Sequence, residues 1–317
     1  MKIIVTGGAG FIGAYTAKKL MERGDEVVII DNFNDYYDPK LKKSRVKNLL
    51  KKFSAKIYTT DIRNYKDLER IFKKEKADKI LHLAAMAGVR YSLLNPLIYE
   101  EVNVGGTLNL LELSKKYKIE KFVYASSSSV YGGNKKIPFS ETDSVDNPIS
   151  PYAASKKASE LFANVYSKTF DLKTIGLRFF TVYGPWGRPD MAYFKFTQKI
   201  FNGETIEVYN KGKMQRDFTY IDDIVSGTIL VLDKETDSKI FNIGGDKPEQ
   251  LMDFIALIEK YVGKKAKIKF LPMQPGEVKK TISDVSSLKS LGGKPGIGIG
   301  EGLKNFVDWY RDYFDKK

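Results

Sequence analysis

Tyr152 and Lys156 stand four residues apart in a run of helix-forming sequence that opens at Pro151, so both side chains fall on one helix face. A tyrosine acts as a general base once its pKa drops from about 10 towards neutrality, a change of roughly three units or ~4 kcal/mol. A neighbouring ammonium supplies about one to three of those units, and the positive ring of a bound nicotinamide supplies more. Tyr152 is therefore a candidate base for a sugar or alcohol hydroxyl, with Lys156 as the ammonium. Ser127, within the run Ser126-Ser127-Ser128-Ser129, is the candidate to donate or relay a hydrogen bond to the same oxygen. Taken alone, a Tyr-x-x-x-Lys pair is also what a packing tyrosine beside a solvated lysine looks like. Its surroundings decide between the two readings.

Those surroundings alternate short apolar runs with longer amphipathic ones, the rhythm of strand and helix in a parallel sheet. Residues 2–6, 26–31, 55–59, 79–83, 121–126 and 173–178 are predicted as strands, and 11–23, 40–52, 65–75, 97–117 and 152–169 as helices. This pattern predicts an α/β fold, a doubly wound parallel sheet of Rossmann type with ligands at the carboxyl ends of its strands. The first strand runs straight into Gly7-Gly8-Ala9-Gly10-Phe11-Ile12-Gly13, where a helix begins. Glycine there permits positive φ, and backbone N–H groups at the helix N-terminus can approach a pyrophosphate. Asp31 ends the second strand, where a carboxylate accepts hydrogen bonds from an adenosine ribose and repels a 2′-phosphate. No arginine follows it directly, so NAD is expected rather than NADP.

Beyond residue 178 the rhythm breaks at Tyr183-Gly184-Pro185-Trp186-Gly187-Arg188-Pro189, and Gly/Pro segments separate the later elements. The expected division is a dinucleotide-binding domain over 1–179, which also receives 218–246, and a smaller mixed α/β substrate lobe over 180–217 and 247–317.

Composition removes whole classes of chemistry. The 317 residues are 42% hydrophobic and 29% charged, enough to bury a large core without staples. With no cysteine there is no disulfide, thiolate nucleophile or cysteine-ligated zinc. The single histidine, His82, excludes a His-His metal site and leaves any Ser-His-Asp triad dependent on it alone. No metal is expected. No uninterrupted apolar stretch reaches the ~18 residues of a spanning helix, and the opening Met1–Thr6 run is too short for the apolar core of a signal peptide. A cytoplasmic protein without a membrane partner is expected. The net charge of +14 is carried by scattered lysines without an arginine-rich arm, which points to a solvated surface and not to specific nucleic-acid binding.

Together, Gly7-x-x-Gly10-x-x-Gly13, Asp31-Asn32, Asp61-Ile62, His82-Leu83-Ala84-Ala85, Ser126 to Gly132 and Tyr152-x-x-x-Lys156 resemble the extended short-chain dehydrogenase/reductase family of nucleotide-sugar enzymes. The resemblance covers essentially the whole chain. It implies that Asp61 and Ile62 lie against adenine, Leu83 and Ala84 near the middle of the cofactor, and Lys156 on the nicotinamide ribose. Phe11, Ile12, Asn32, Ala85 and Asn103 join the implied cofactor-binding set, and His82 belongs structurally to a strand. Arg216, in Gln215-Arg216-Asp217, and Glu277, in Pro275-Gly276-Glu277, are implied contacts of a nucleoside diphosphate, which suits the arginine fork.

Family members that eliminate water or carbon dioxide after oxidation carry Asp-Glu, or a Glu, just before the Val-Tyr-Gly segment, where this chain has Ser128 and Ser129. Without that carboxyl group, a 4-keto sugar has one easy fate: hydride returns to the other face, a 4-epimerisation with no net redox change. Finer resemblance, in Asp31 to Pro39, Gly88-Val89-Arg90-Tyr91-Ser92 and Phe179 to Ala192, is to UDP-glucuronate 4-epimerases, which interconvert UDP-glucuronate and UDP-galacturonate. The C5 carboxylate is then expected against the hydroxyls of Ser127, Ser128 and Thr181, with Arg188 or Arg90 supplying positive charge; the diphosphate competes for both arginines. The alternatives are a UDP-glucose or UDP-N-acetylglucosamine 4-epimerase, a net NAD-dependent oxidoreductase, and a non-catalytic cofactor-binding protein. A homodimer built on helices 97–117 and 152–169 is implied by the resemblance, although an amphipathic helix also buries its apolar face within one chain.

Overall fold

Strand β1 (Lys2–Thr6) is buried on both faces, because its period-two alternation sends Ile3 and Val5 into one core and Ile4 into another. Strand β2 (Glu26–Asp31) repeats the pattern: Val27 and Ile29 join the first core, Val28 and Ile30 the second. Strands β3 (Lys56–Thr59), β4 (Lys79–His82), β5 (Lys121–Ser127) and β6 (Lys173–Phe179) extend the sheet. Between them run helices α1 (Phe11–Glu22), α2 (Pro39–Leu50), α3 (Tyr65–Glu75), α4 (Val89–Leu94), α5 (Pro96–Tyr99), α6 (Gly106–Lys116) and α7 (Pro151–Phe170). The computed structural model describes residues 1–237, 239–273 and 278–314.

After β6 come β7 (Thr181–Tyr183), α8 (Ala192–Phe201), β8 (Thr205–Tyr209), β9 (Gln215–Tyr220), α9 (Ile221–Asp233), β10 (Ile240–Ile243), β11 (Pro248–Gln250), α10 (Leu251–Val262), β12 (Lys267–Leu271), α11 (Ser286–Ser290) and α12 (Ile299–Phe314). The main sheet has the order β10-β6-β5-β4-β1-β2-β3, with every neighbouring pair parallel. The chain moves outward from β1 to β3 and then crosses back to β4. That reversal opens a crevice at the carboxyl ends of β1 and β4, as in doubly wound sheets generally.

The six predicted strands are all present, and β10 adds a seventh: Ile240–Ile243 pairs with Gly176–Phe179. The helix expected over 97–117 is broken into α5, a π-helical turn over Glu100–Gly105, and α6. Gly105 and Gly106 weaken the α-helix here, and Gly106 packs so tightly that a Cβ would stand 2.5 Å from Ile62 Cδ1.

The second lobe is built on β11-β9-β7 and β12-β8, with α8, α10 and α12 packed through aromatic rings. Phe218 stacks on Phe254 with centroids 4.1 Å apart, and Phe194 packs tilted against Phe306 and edge to face against Trp309 and Tyr310. The division expected at 217/218 falls inside β9, because β9 pairs with β7 on one side and β11 on the other as a single strand.

Candidate active site

A cleft of about 390 Å³ lies along the carboxyl ends of the main sheet and the start of the second lobe. One of its walls is the glycine turn. Gly7 has φ +69°, and a Cβ there would stand 2.7 Å from the Ala84 nitrogen; at Gly13 a Cβ would stand 2.1 Å from the Gly7 oxygen. Only glycine lets the β1–α1 turn come this close to β4 and to itself. Such a cradle, which side chains would fill, fits a dinucleotide pyrophosphate at the N-terminus of α1. Asp31 sits at the end of β2, where its Oδ2 accepts from Ala9 N (3.0 Å) and its Oδ1 from Phe33 N (2.8 Å). The carboxylate thus shapes the turn and retains lone pairs for a ribose. Asn32 donates to Asp61 (2.9 Å), and Phe11, Ile12, Gly10, Ile62, Leu83, Ala84 and Ala85 also line the cleft.

At the other end, Ser150 caps α7 by accepting from Ala153 N, and Pro151 occupies the first turn, which sets the helix start that aims Tyr152 and Lys156 inward. Tyr152 lines the cleft together with Ser127, at the end of β5, and meets the edge of Tyr99 at 6.0 Å. Burial pushes the Tyr152 hydroxyl above its ordinary pKa, while the Ser127 hydrogen bond and the nearby charge of Arg188 pull it down. That second task was expected of Lys156. Instead, the Lys156 ammonium donates to Ala125 O (2.7 Å), and burial pushes it down to about 8, opposed by Glu160.

Beneath them lies a polar network. Glu160 Oε1 accepts from Ser126 Oγ (2.6 Å) and Arg178 Nε (2.9 Å), and Glu160 Oε2 accepts from Arg178 Nη2 (2.9 Å). Arg178 also donates to Tyr131 Oη (3.0 Å), which donates to Asn242 Oδ1 on β10 (2.6 Å). Arg178 is thus a buried ion-pair partner. Glu160 was missed, although it falls one turn after Lys156. His82 lies between Thr6 Oγ1 (2.7 Å) and Thr107 Oγ1 (3.0 Å), where burial pushes it down to about 3.

The residues expected on the sugar side divide. Ser127, Ser128, Thr181 and Arg188 line the cleft. Arg188 grips Asp190 at two points, Nε to Oδ1 (3.0 Å) and Nη2 to Oδ2 (2.5 Å), and Tyr36 Oη donates to Asp190 Oδ2 (3.3 Å). Arg90 is not among the lining residues; its guanidinium packs over the Tyr209 ring, 4.6 Å from the centroid. Arg216 donates to Gln215 O (2.9 Å) and Lys279 O (3.2 Å), also away from the lining. Asn103, expected against the cofactor, is buried behind the cleft, where its amide bonds Met86 N, Met86 O and Ser155 Oγ. Glu277 lies outside the described residues. Tyr36, Lys42 and Asp190 are additions of the structure to the site; Lys42 folds back onto Asn34. Among the described residues no group of His, Cys, Asp and Glu could hold a metal ion, and no helix is long and apolar enough to cross a membrane.

Comparison with known proteins agrees with this geometry. The chain is 45% identical to UDP-glucuronate 4-epimerase 4 of Arabidopsis thaliana, over 99% of this chain and 77% of that protein. The crystal structure of UDP-glucuronic acid 4-epimerase from Bacillus cereus with UDP-glucuronic acid and NAD superposes with a TM-score of 0.93 at 35% identity, covering 99% of this chain and 100% of that one. UDP-glucose 4-epimerase from Thermotoga maritima, with UDP-glucose, gives a TM-score of 0.91 at 32% identity, covering 99% of both chains. Residues 3–244 match the NAD dependent epimerase/dehydratase family. With the glycine cradle, the serine-ended β5 and the Tyr152–Lys156 pair in one cleft, the chain belongs to the NAD dependent epimerase/dehydratase family.

Proposed function

We propose that this chain is a 4-epimerase that interconverts UDP-glucuronate and UDP-galacturonate. The observation that carries the reading is that Tyr152, Lys156 and Ser127 line one cleft that also presents Arg188, with serines at 128 and 129 where an eliminating enzyme would need a carboxyl group. Bound NAD supplies the acceptor, and then the donor, of the C4 hydride. The glycine turn with Phe11, Ile12, Asp31 and Asn32 would hold its adenosine and pyrophosphate side, and Lys156 its nicotinamide ribose.

Tyr152 would take the 4-hydroxyl proton, with Ser127 sharing the hydrogen bond, and would return it after the keto sugar has turned its other face. Ser127, Ser128 and Thr181 offer hydroxyls to the C5 carboxylate, and Arg188 brings positive charge to the same wall. A 4-keto uronate is a β-keto acid, and holding its carboxylate in the ring plane disfavours loss of carbon dioxide. In this reading residues 1–179 with α9 and β10 bind NAD, the lobe built on β7, β8, β9, β11 and β12 binds the sugar nucleotide, and the protein works in the cytoplasm as a homodimer.

The experiment is UDP-glucuronate with purified protein and NAD, followed by NMR. The galacto epimer should appear without NADH accumulation, and in deuterated water C4 should gain no deuterium. UDP-pentose and bicarbonate would instead identify a decarboxylase. Turnover of UDP-glucose alone would move the assignment to the neutral sugar, a reading favoured by one feature: Asp190 already occupies the Arg188 fork.

A further inference from the structure

Arg45 on α2 is 0% exposed, and no carboxylate of the described residues lies within ion-pair distance of it. Neutral oxygens take its donors instead: Trp186 O accepts from Nε (3.0 Å) and Nη2 (2.7 Å), while Nη1 donates to Ala9 O (2.7 Å) and Tyr37 Oη (3.2 Å). A buried cation balanced only by dipoles is costly, so its position calls for an account.

Its two carbonyl partners belong to the two halves of the site. Ala9 lies in the glycine turn, and its N–H is held by Asp31 (3.0 Å), so Asp31 and Arg45 grip one residue from opposite sides with opposite charges. Trp186 belongs to the loop after β7, where a φ of +62° puts a bulky side chain in the left-handed region. Two residues further on, Arg188 faces the sugar end of the cleft.

We propose that Arg45 is a positioning residue that couples dinucleotide seating to the loop bearing Arg188. The inference rests on the NAD-binding reading above. A pyrophosphate at the glycine turn brings the anion that the buried guanidinium lacks, and the same guanidinium holds the strained Trp186 backbone. Filling the turn therefore stabilises the loop arrangement that presents Arg188, and by reciprocity a sugar nucleotide at Arg188 tightens the hold on NAD.

The test uses the full chain, stripped of cofactor, with the Tyr152→Phe substitution to prevent turnover. Calorimetry measures NAD affinity with and without UDP-glucuronate. A second readout is Trp186 emission on NAD addition in a Trp309→Phe background, where Trp186 is the sole tryptophan. With Arg45 intact, UDP-glucuronate should tighten NAD binding by about fivefold or more, and NAD should change the Trp186 emission. Arg45→Gln should weaken NAD by about ten- to a hundredfold, and both the tightening and the emission change should vanish.

Arg45→Lys keeps the charge but cannot bridge both carbonyls, so it should bind NAD better than Arg45→Gln while still lacking the coupling; it also decides the matter if the glutamine variant does not fold. Unchanged coupling in Arg45→Lys, or NAD affinity unchanged in both variants, overturns the inference. A wild-type chain that shows the coupling yet does not epimerise UDP-glucuronate would instead sink the sugar assignment and leave Arg45 in its role.

Discussion

Arg178 and Glu160 form a two-point ion pair buried under the floor of the cleft, Nε to Oε1 and Nη2 to Oε2, both at 2.9 Å. The same carboxylate receives the Ser126 hydroxyl and stands one helical turn from Lys156, whose pKa it raises against the lowering effect of burial. Glu160→Gln keeps an oxygen for one donor but removes the charge. Leaving Arg178 uncompensated should cost roughly 3–5 kcal/mol of stability, measured by denaturant unfolding. Lys156, at about 8, should titrate lower still, so the alkaline limb of the kcat profile should move to lower pH. An unmoved limb would separate Glu160 from Lys156.

Ser127 acts on the other partner. Its hydrogen bond lowers the pKa of Tyr152, which burial raises. If the phenolate is the base, rate rises with pH through that pKa, and Ser127→Ala should shift the acid limb of kcat/KM to higher pH. The expected loss at neutral pH is roughly ten- to a hundredfold, the worth of a hydrogen bond to a charged group. Tyr152→Phe should abolish turnover while NAD remains bound, measured by cofactor release on denaturation.

The sheet and the glycine turn were legible because burial on both faces and a strand-to-helix glycine run are local signals. Tyr152, Lys156 and Ser127 were legible because helical spacing and a strand end bring them to one place. What the sequence could not carry is partner choice at a distance. Nothing local pairs Arg178 with Glu160, turns the Lys156 ammonium to Ala125 O, or sends Arg45 across to Trp186, 141 residues away. The Asn103 contacts were hidden for a related reason: the π-helical turn that aims it at Met86 is invisible in a sequence whose periodicity reads as one continuous helix.

His82 should make the fold sensitive to mild acid. Its folded pKa of about 3 lies below the 6.5 of the free side chain, and burial is the leading cause, with the charge of Lys156 adding to it. The unfolded chain therefore binds a proton that the folded chain refuses. This contribution is complete above pH 6.5 and falls as pH drops towards 3, by roughly 1.4 kcal/mol per pH unit. Between pH 6.5 and 5, wild type should lose more unfolding free energy than His82→Gln, measured by urea titration at each pH. Equal losses would show that the imidazole titrates normally.

Leu94 and Leu97 are 79% and 77% exposed on α4 and α5, and Leu161 and Val165 are exposed on α7, which packs against both. Such an apolar patch on adjoining helices fits a second copy of the chain. Leu97→Asp with Leu161→Asp should convert a dimer to a monomer by sedimentation velocity, with the folded far-UV spectrum retained. A wild-type chain already monomeric at micromolar concentration would remove the dimer from the proposal.

Asp190 provides the sharpest separation between a uronate and a neutral sugar. It holds the Nε and Nη2 donors of Arg188, so a substrate carboxylate arriving at that edge of the guanidinium must share or displace it. Asp190→Asn removes that competing charge and leaves Arg188 with an uncompensated one. For UDP-glucuronate, KM should fall by roughly fivefold, the worth of about 1 kcal/mol between unit charges near water, while KM for UDP-glucose should stay constant. Because Asp190 also raises the Tyr152 pKa, the acid limb for either substrate should move to lower pH in the variant. The two readouts are independent: the pH limb reports only that Asp190 faces the base, whereas the KM contrast reports whether a carboxylate is what Arg188 receives. A moved limb with equal KM values for both sugars would place the charge of Arg188 in the service of Tyr152 and take UDP-glucuronate out of the assignment.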